Sequence, residues 1–581
     1  MSRPSRYIAP IDGMRAIAVI AVLVYHLGVN WLPGGFLGVD LFFVISGYVI
    51  TRLILESIQH SGGLDLREFY LARVRRLFPA LLTMIATTLL AIALFAPDAA
   101  KRFLTDIPFV LTGTNNWRLV GLHQDYFQSM GRPPLLQHTW SLSVEAQFYL
   151  IWPLVLLAAL RWFGRSNIAR VALGIALGSG LALFFLSLNI EEATTSRVSH
   201  IYFGSDTHSL GLFLGAALAV SWAPINLTKD ISQRAQDFVD FIGVIGLLGL
   251  LATFLFIDET NPTLYRIAFP LAAIFGCAIL TSLVHPASRF APLVSSKLFL
   301  WIGERSYGIY LWHWVVLQLL RPNIDLRGSE IGIGAVRILV TFALADLSLR
   351  YIEIPIRRGE FAIWLRGLKY RTKKERRRLE LKLYSLSTFI ALVIVSSTAL
   401  AWNRSQHLPT HLVATLASDI GNSVGISEAP EGIWLTGDSV ILGIKNKLAE
   451  KYPLALVNAR VGRQIGELIE VVKNDQPQVK NSKVVLDIGN NNKLSREDLI
   501  QLFELLKNQP KIVVVNTAVP RGWREDNDRL INEIAANYSQ AIVVDWNSLS
   551  TNHPEFFASD GVHLNDEGGK VYVAAILEAL K

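Results

Sequence analysis

"GMRAIAVIAVLVYHLG", residues 13–28, carries a cation at one end of an apolar run and an imidazole at the other. Ten residues separate Arg15 from His26, all apolar except for the phenol of Tyr25. Eleven residues along a helix span ~16 Å, so the two groups sit far apart on one greasy rod. Ten more such stretches follow, at roughly 35–58, 77–96, 141–163, 168–189, 205–222, 238–257, 265–285, 298–320, 331–353 and 383–402. Each is near the ~20 residues that a bilayer-spanning helix needs.

Composition agrees. Of 581 residues, 51% are hydrophobic and 18% charged, and the mean hydropathy is +0.37. That excludes an ordinary soluble globular chain. The formal charge of +8 is unevenly placed: residues 431–581 hold 17 Lys+Arg against 20 Asp+Glu, a net of −3. The remainder carries +11, with eleven basic residues inside 354–382. Such a run between two apolar stretches reads as a topology signal rather than a nucleic-acid site. With the N-terminus in the cytoplasm, the inward-facing connections take most of the Lys and Arg, and the residues after 402 fall outside. No A-x-A cleavage pattern follows the first apolar stretch, so it reads as retained. The lone Cys277 lies in an apolar segment and reads as a small core residue.

The pattern changes after the eleventh helix (383–402). Residues 403–430, with Ser, Asn, Gly and Pro and little periodicity, read as an extracytoplasmic linker. From 431 short β-branched runs such as "GIWLTG", "VVLDIG" and "KIVVVNTA" alternate with amphipathic segments. This alternation predicts an α/β domain with a parallel sheet over 431–581. "LTGDSVILG" puts Ser439 just after the first of these strands, at a helix start, where open α/β sheets bind ligands. A serine there is often only a cap. "SDGVHLN" adds Asp560 and His563: a nucleophilic serine needs a base, and the base an orienting carboxylate.

Over 431–581 the chain resembles the SGNH/GDSL esterase superfamily. The resemblance implies Ser439 as nucleophile, His563 as base and Asp560 as its partner. It implies an oxyanion hole from the serine amide, Gly462 in "NARVGRQ" and Asn491 in "DIGNNN". The family's Gly-x-Asn-Asp block here reads Gly489-Asn490-Asn491-Asn492, without the final acid.

Several polar groups lie within the apolar part, where they are costly and default to function. Asp40 stands in "GVDLFFVISGYVIT", Arg73, Arg75 and Arg76 in "FYLARVRRLFPAL", and His138, Trp140, Ser141 and Glu145 in "LLQHTWSLSVEAQFYLIWP". The arginines also read as positive-inside markers, and Trp140 as an interfacial belt residue. Together with "SYGIYLWHW" at 306–314, these segments resemble the acyltransferase-3 family of integral membrane enzymes over roughly 7–355. One departure is Ala72, where many members carry a further arginine.

The resemblance implies the following layout: a membrane domain over 1–382 with ten helices and the basic cytoplasmic segment 354–382, then the eleventh helix, the linker and the SGNH domain. It implies transfer of an acyl group, usually acetyl, to an envelope sugar of a bacterial cell. Acetyl-coenzyme A is then the donor substrate, with no tightly bound cofactor and no metal. Arg15, Arg73 and Arg76 would grip its phosphates at the inner mouth. The arm would reach His26, acting as base or transient acyl acceptor, with Asp40, Trp140, Ser141 and Glu145 in support. The fused layout looks like that of the peptidoglycan O-acetyltransferases and of the O-antigen acetyltransferases. "VGRQ", "VVVNTAVPRGW" and "DGVHLN" look closer to the former. An acetyltransferase for another surface polysaccharide, a membrane-anchored acetyl esterase and an export protein are the alternatives.

Overall fold

The computed structural model describes residues 7–29, 31–122, 132–188, 195–258, 263–322, 325–326, 328–367, 370–406, 422–424, 432–459, 463–519, 523–557 and 562–581. Each apolar stretch falls on a helix. Among the described residues, nine helical segments, from Ala9–His26 to Lys373–Arg404, are long and apolar enough to cross a membrane. The two other stretches differ from these in kind. Leu210–Ser221 has only 12 residues, ~18 Å of helix. Lys297–Leu319 has 23, but Glu304, Arg305 and His313 lower its hydropathy. Eleven crossings therefore rest on nine helices that qualify alone and two that do not. Leu177, Phe185, Phe256 and Leu339 are exposed, the apolar surface that lipid-facing helices present.

Inward faces share one apolar core that runs from Ile11 to Ala401. Lys297–Leu319 packs against Ala9–His26 so closely that a Cβ on Gly303 would lie 2.0 Å from the Asp12 carbonyl oxygen. Only glycine allows that approach. It sets the register that carries His313 to the level of His26.

The C-terminal part is a six-stranded sheet in the order β1-β3-β2-β4-β5-β6: Asn422–Val424, Ile433–Gly437, Leu454–Ala459, Lys483–Asp487, Ile512–Val515 and Ala541–Val544 for β1 to β6. All neighbours pair parallel except β1, which runs antiparallel to β3. This edge strand falls inside the stretch read as a linker. The buried strands read as near-continuous Val, Ile and Leu because helices cover both faces. Strand order reverses at β2, which lies between β3 and β4. The crevice beyond its C-terminal end is therefore the topological switch point.

Candidate active sites

A cavity of about 280 Å³ opens among the helices Ala9–His26, Gly38–Ser61, Leu66–Phe95, Trp140–Phe163 and Lys297–Leu319. Arg15, Arg73 and Arg76 line it together with Ser141 and Glu145. Arg15 and Asp12 sit one turn apart and pair at 3.2 Å, and the Tyr7 hydroxyl donates to the other Asp12 oxygen at 2.7 Å. Arg73 Nε is buried with no hydrogen-bond partner among the described residues. Ser141, Glu145 and Tyr149 are spaced by four residues and share one helix face. Glu145 accepts from Ser46 at 2.7 Å and from Tyr149 at 3.1 Å. Ser141 Oγ lies 2.6 Å from the Tyr310 hydroxyl, which donates to the His138 carbonyl at 2.9 Å.

His26 does not line this cavity. Tyr310 belongs to both regions: it lines the cavity, and its ring packs 5.4 Å from that of His313 and 5.8 Å from that of His138. Behind it, His313 Nε2 lies 3.3 Å from His26 Nδ1. Asp40 and Trp140 also lie outside the lining. Asp40 faces His208, whose Nε2 is 3.3 Å from Oδ1. Trp140 is buried among Tyr202, Phe203 and His208, which rules out an interfacial position. Sequence reasoning missed Asp12, Ser46, Tyr149, Tyr310, His208 and His313 as site residues. Tyr310 and His313 stood in "SYGIYLWHW", but only a neighbouring helix gives them a partner.

In the sheet domain, Ser439 is buried at the first position of the helix Ser439–Ala449, at the switch point. Gly437 has φ +148°, and a Cβ there would lie 2.4 Å from the Asp487 carbonyl oxygen, so the turn into this helix requires glycine. Asp438 caps the helix, its Oδ1 accepting from the Val440 amide at 2.9 Å. His563 is buried and close enough to Asp438 for its charge to act on that carboxyl. Val440 and Val562, their neighbours in sequence, share one apolar cluster. Asp560 and Gly462 lie outside the described residues.

Asn491 Nδ2 donates to Asp438 Oδ2 at 2.9 Å and to the Arg463 carbonyl at 3.2 Å. Asn490 Nδ2 bridges Asp438 Oδ2 at 3.0 Å and Asp487 Oδ1 at 2.6 Å, while Tyr572 donates to Asp487 Oδ2. Two carboxylates thus share one amide beside Ser439. Burial raises both above the usual carboxylate range. Asp487 is raised further by the charge of Asp438, whereas the Val440 amide, Asn490 and the charges of His563 and Arg463 pull Asp438 back. Among the described residues no group of three or more His, Cys, Asp or Glu is placed to hold a metal ion.

An acyltransferase domain model matches residues 8–350. Peptidoglycan O-acetyltransferase OatA of Listeria monocytogenes is 33% identical, covering 99% of this chain and 98% of its own. O-acetyltransferase OatA of Staphylococcus aureus is 32% identical over 99% of this chain and 96% of its own. Among solved structures, the C-terminal catalytic domain of Streptococcus pneumoniae peptidoglycan O-acetyltransferase A, bearing a methylsulfonyl adduct, is 27% identical; the match covers 27% of this chain and 94% of that one, with a TM-score of 0.23. A cationic cavity among membrane helices, a serine at a switch point and relatives aligned from end to end converge on one assignment: the chain belongs to the acyltransferase-domain family and is a membrane protein.

Proposed function

We propose that the protein O-acetylates peptidoglycan, taking acetyl from cytoplasmic acetyl-coenzyme A and passing it through a Ser439 acyl-enzyme. The carrying observation is that one chain joins a guanidinium-lined membrane cavity to a serine at the crevice of an α/β sheet. Its full-length relatives bear O-acetyltransferase names. Three guanidiniums suit the phosphates of a coenzyme A donor, as charge-assisted pairs. Arg73 Nε, buried without a partner among the described residues, is satisfied by such an oxygen. His26 then meets the thioester end of the arm. In the sheet domain His563 takes the Ser439 proton as Oγ attacks, and Asp560 orients the imidazole. The Ser439 and Gly462 amides and Asn491 stabilise the oxyanion. At rest Asn491 is held by Asp438, so an oxyanion competes with that carboxylate for its N–H. The N-terminus lies in the cytoplasm and the sheet domain outside, on the charge asymmetry of the connections.

The acetyl content of wall glycan in strains carrying His26→Ala or Ser439→Ala tests this. Both substitutions are expected to abolish acetylation, and the double variant to be no worse than either. A rise with Ser439→Ala identifies an esterase instead. Normal wall acetylation with loss from another surface polysaccharide moves the acceptor.

A further inference from the structure

Three imidazoles meet behind Tyr310. His26 ends one helix, His138 precedes another and His313 lies within Lys297–Leu319. The His26 and His313 ring centres are 5.1 Å apart, and those of His138 and His313 are 5.8 Å apart. Hydrogen bonds fix the protons on the first pair. His313 Nδ1 lies 2.6 Å from the Tyr310 carbonyl, and His26 Nδ1 lies 2.9 Å from the Val22 carbonyl. A carbonyl oxygen only accepts, so each Nδ1 carries a proton. A neutral imidazole has one N–H, which puts the lone pair of each ring on Nε2. His26 Nδ1–H is therefore shared, pointing to the Val22 carbonyl at 2.9 Å and also meeting the lone pair of His313 Nε2 at 3.3 Å. The lone pair of His26 stands on the opposite side of its ring.

We propose that His313 is a positioning residue that, together with the Val22 carbonyl, holds His26 in the Nδ1–H tautomer and makes Nε2 its reactive nitrogen. This rests on the reading of His26 as the group that meets the acyl donor. When Nε2 captures the acetyl carbon, an N–C bond forms, the C–S bond breaks and the electron pair leaves with the coenzyme A thiolate. When it acts as a base instead, an N–H bond forms as the O–H bond of the hydroxyl that attacks the acetyl carbon breaks, and the C–S electron pair again leaves with the thiolate. In both cases the His26 ring turns cationic, and its Nδ1–H bond to His313 strengthens. A carboxylate performs this service in hydrolytic triads. An imidazole does so without burying a standing charge in an apolar interior.

The full chain in vesicles, with acetyl-coenzyme A as donor and a soluble peptidoglycan fragment as acceptor, provides the test. His313→Asn keeps a donor for the Tyr310 carbonyl and removes the acceptor that faces His26. It is expected to lower kcat roughly 100-fold with KM for the donor unchanged. His313→Gln places an amide oxygen near the position of Nε2 and is expected to stay within about tenfold of wild type. The double variant with His26→Ala should be no slower than His26→Ala alone. A merely structural His313 predicts the reverse order, with Asn tolerated and Gln damaging. That order, or equal rates in both variants, overturns the proposal. A fully active His26→Ala chain instead overturns the reading of His26 itself, and the positioning role with it.

Discussion

Asp487 occupies a costly position for a carboxylate, buried at the end of β4 between Tyr572 and the Asn490 amide. Its raised pKa has a definite consequence for stability. Between the unfolded carboxyl value and the higher folded one, the native state binds more protons than the unfolded chain. The stability that this group contributes is therefore fully present below the unfolded value and is lost as pH rises through the folded pKa. Asn at this position carries no charge and keeps Oδ1 for Asn490, and its N–H meets the Tyr572 oxygen once that hydroxyl turns from the bond it donates to Asp487. Asp487→Asn is expected to flatten that slope in pH-dependent thermal unfolding. At pH 8 it should raise the midpoint by about 2–4 °C for each ~1 kcal/mol recovered. A midpoint lowered at every pH contradicts this. Of the candidate site, Ser439, His563 and Asn491 can be picked out from sequence because short motifs carry them. The pairing of Asp438 with Asp487 cannot, because it follows from the register that sets Gly437 opposite Asp487.

At the scale of elements, length and apolarity announced the long membrane helices, and β-branched runs announced the buried strands, while shorter helices such as Ala100–Leu111 and Asn115–Gly121 gave no such signal. What escaped is instructive. β1 is three residues, "NSV", with no apolar pattern, and it exists only because β3 offers a free edge. Arg15 and His26, eleven residues apart, fall on one face of their helix. Periodicity within one helix cannot show that Tyr310 and His313 join them from another. The close contact of Gly303 with Asp12 governs that neighbour's position. Gly303→Ala would force backbone atoms apart, and overpacking of this kind costs about 1–3 kcal/mol. A lower thermal midpoint in detergent is the expected result, with acetyl transfer falling in parallel as His313 moves off His26. An unchanged midpoint would show that the two helices part without cost.

For the whole molecule, the sheet domain carries two apolar cores of its own, one on each face. It is expected to fold in water as a fragment and to cleave small aryl acetates, with Ser439→Ala abolishing release of the phenol. Because β1 completes the sheet edge, a fragment starting at 422 should melt above one starting at 431, as circular dichroism would record. The membrane part answers to a further demand. A bilayer that stores a proton gradient tolerates no standing water path, yet a cavity lined by charged side chains opens among the helices of this chain. Tyr310 forms part of the wall there, its hydroxyl engaged by Ser141 on one side and by the His138 carbonyl on the other. With both positions taken, this hydroxyl cannot turn to pass a proton along without breaking a bond. Tyr310→Ala is expected to make vesicles discharge an imposed pH difference faster, followed with an entrapped dye and without any donor; an unchanged rate would place the barrier elsewhere. On the expected outcome a single phenol in the cavity wall serves as electrical insulation, and a polar chamber can lie within the bilayer without short-circuiting the cell's energy supply.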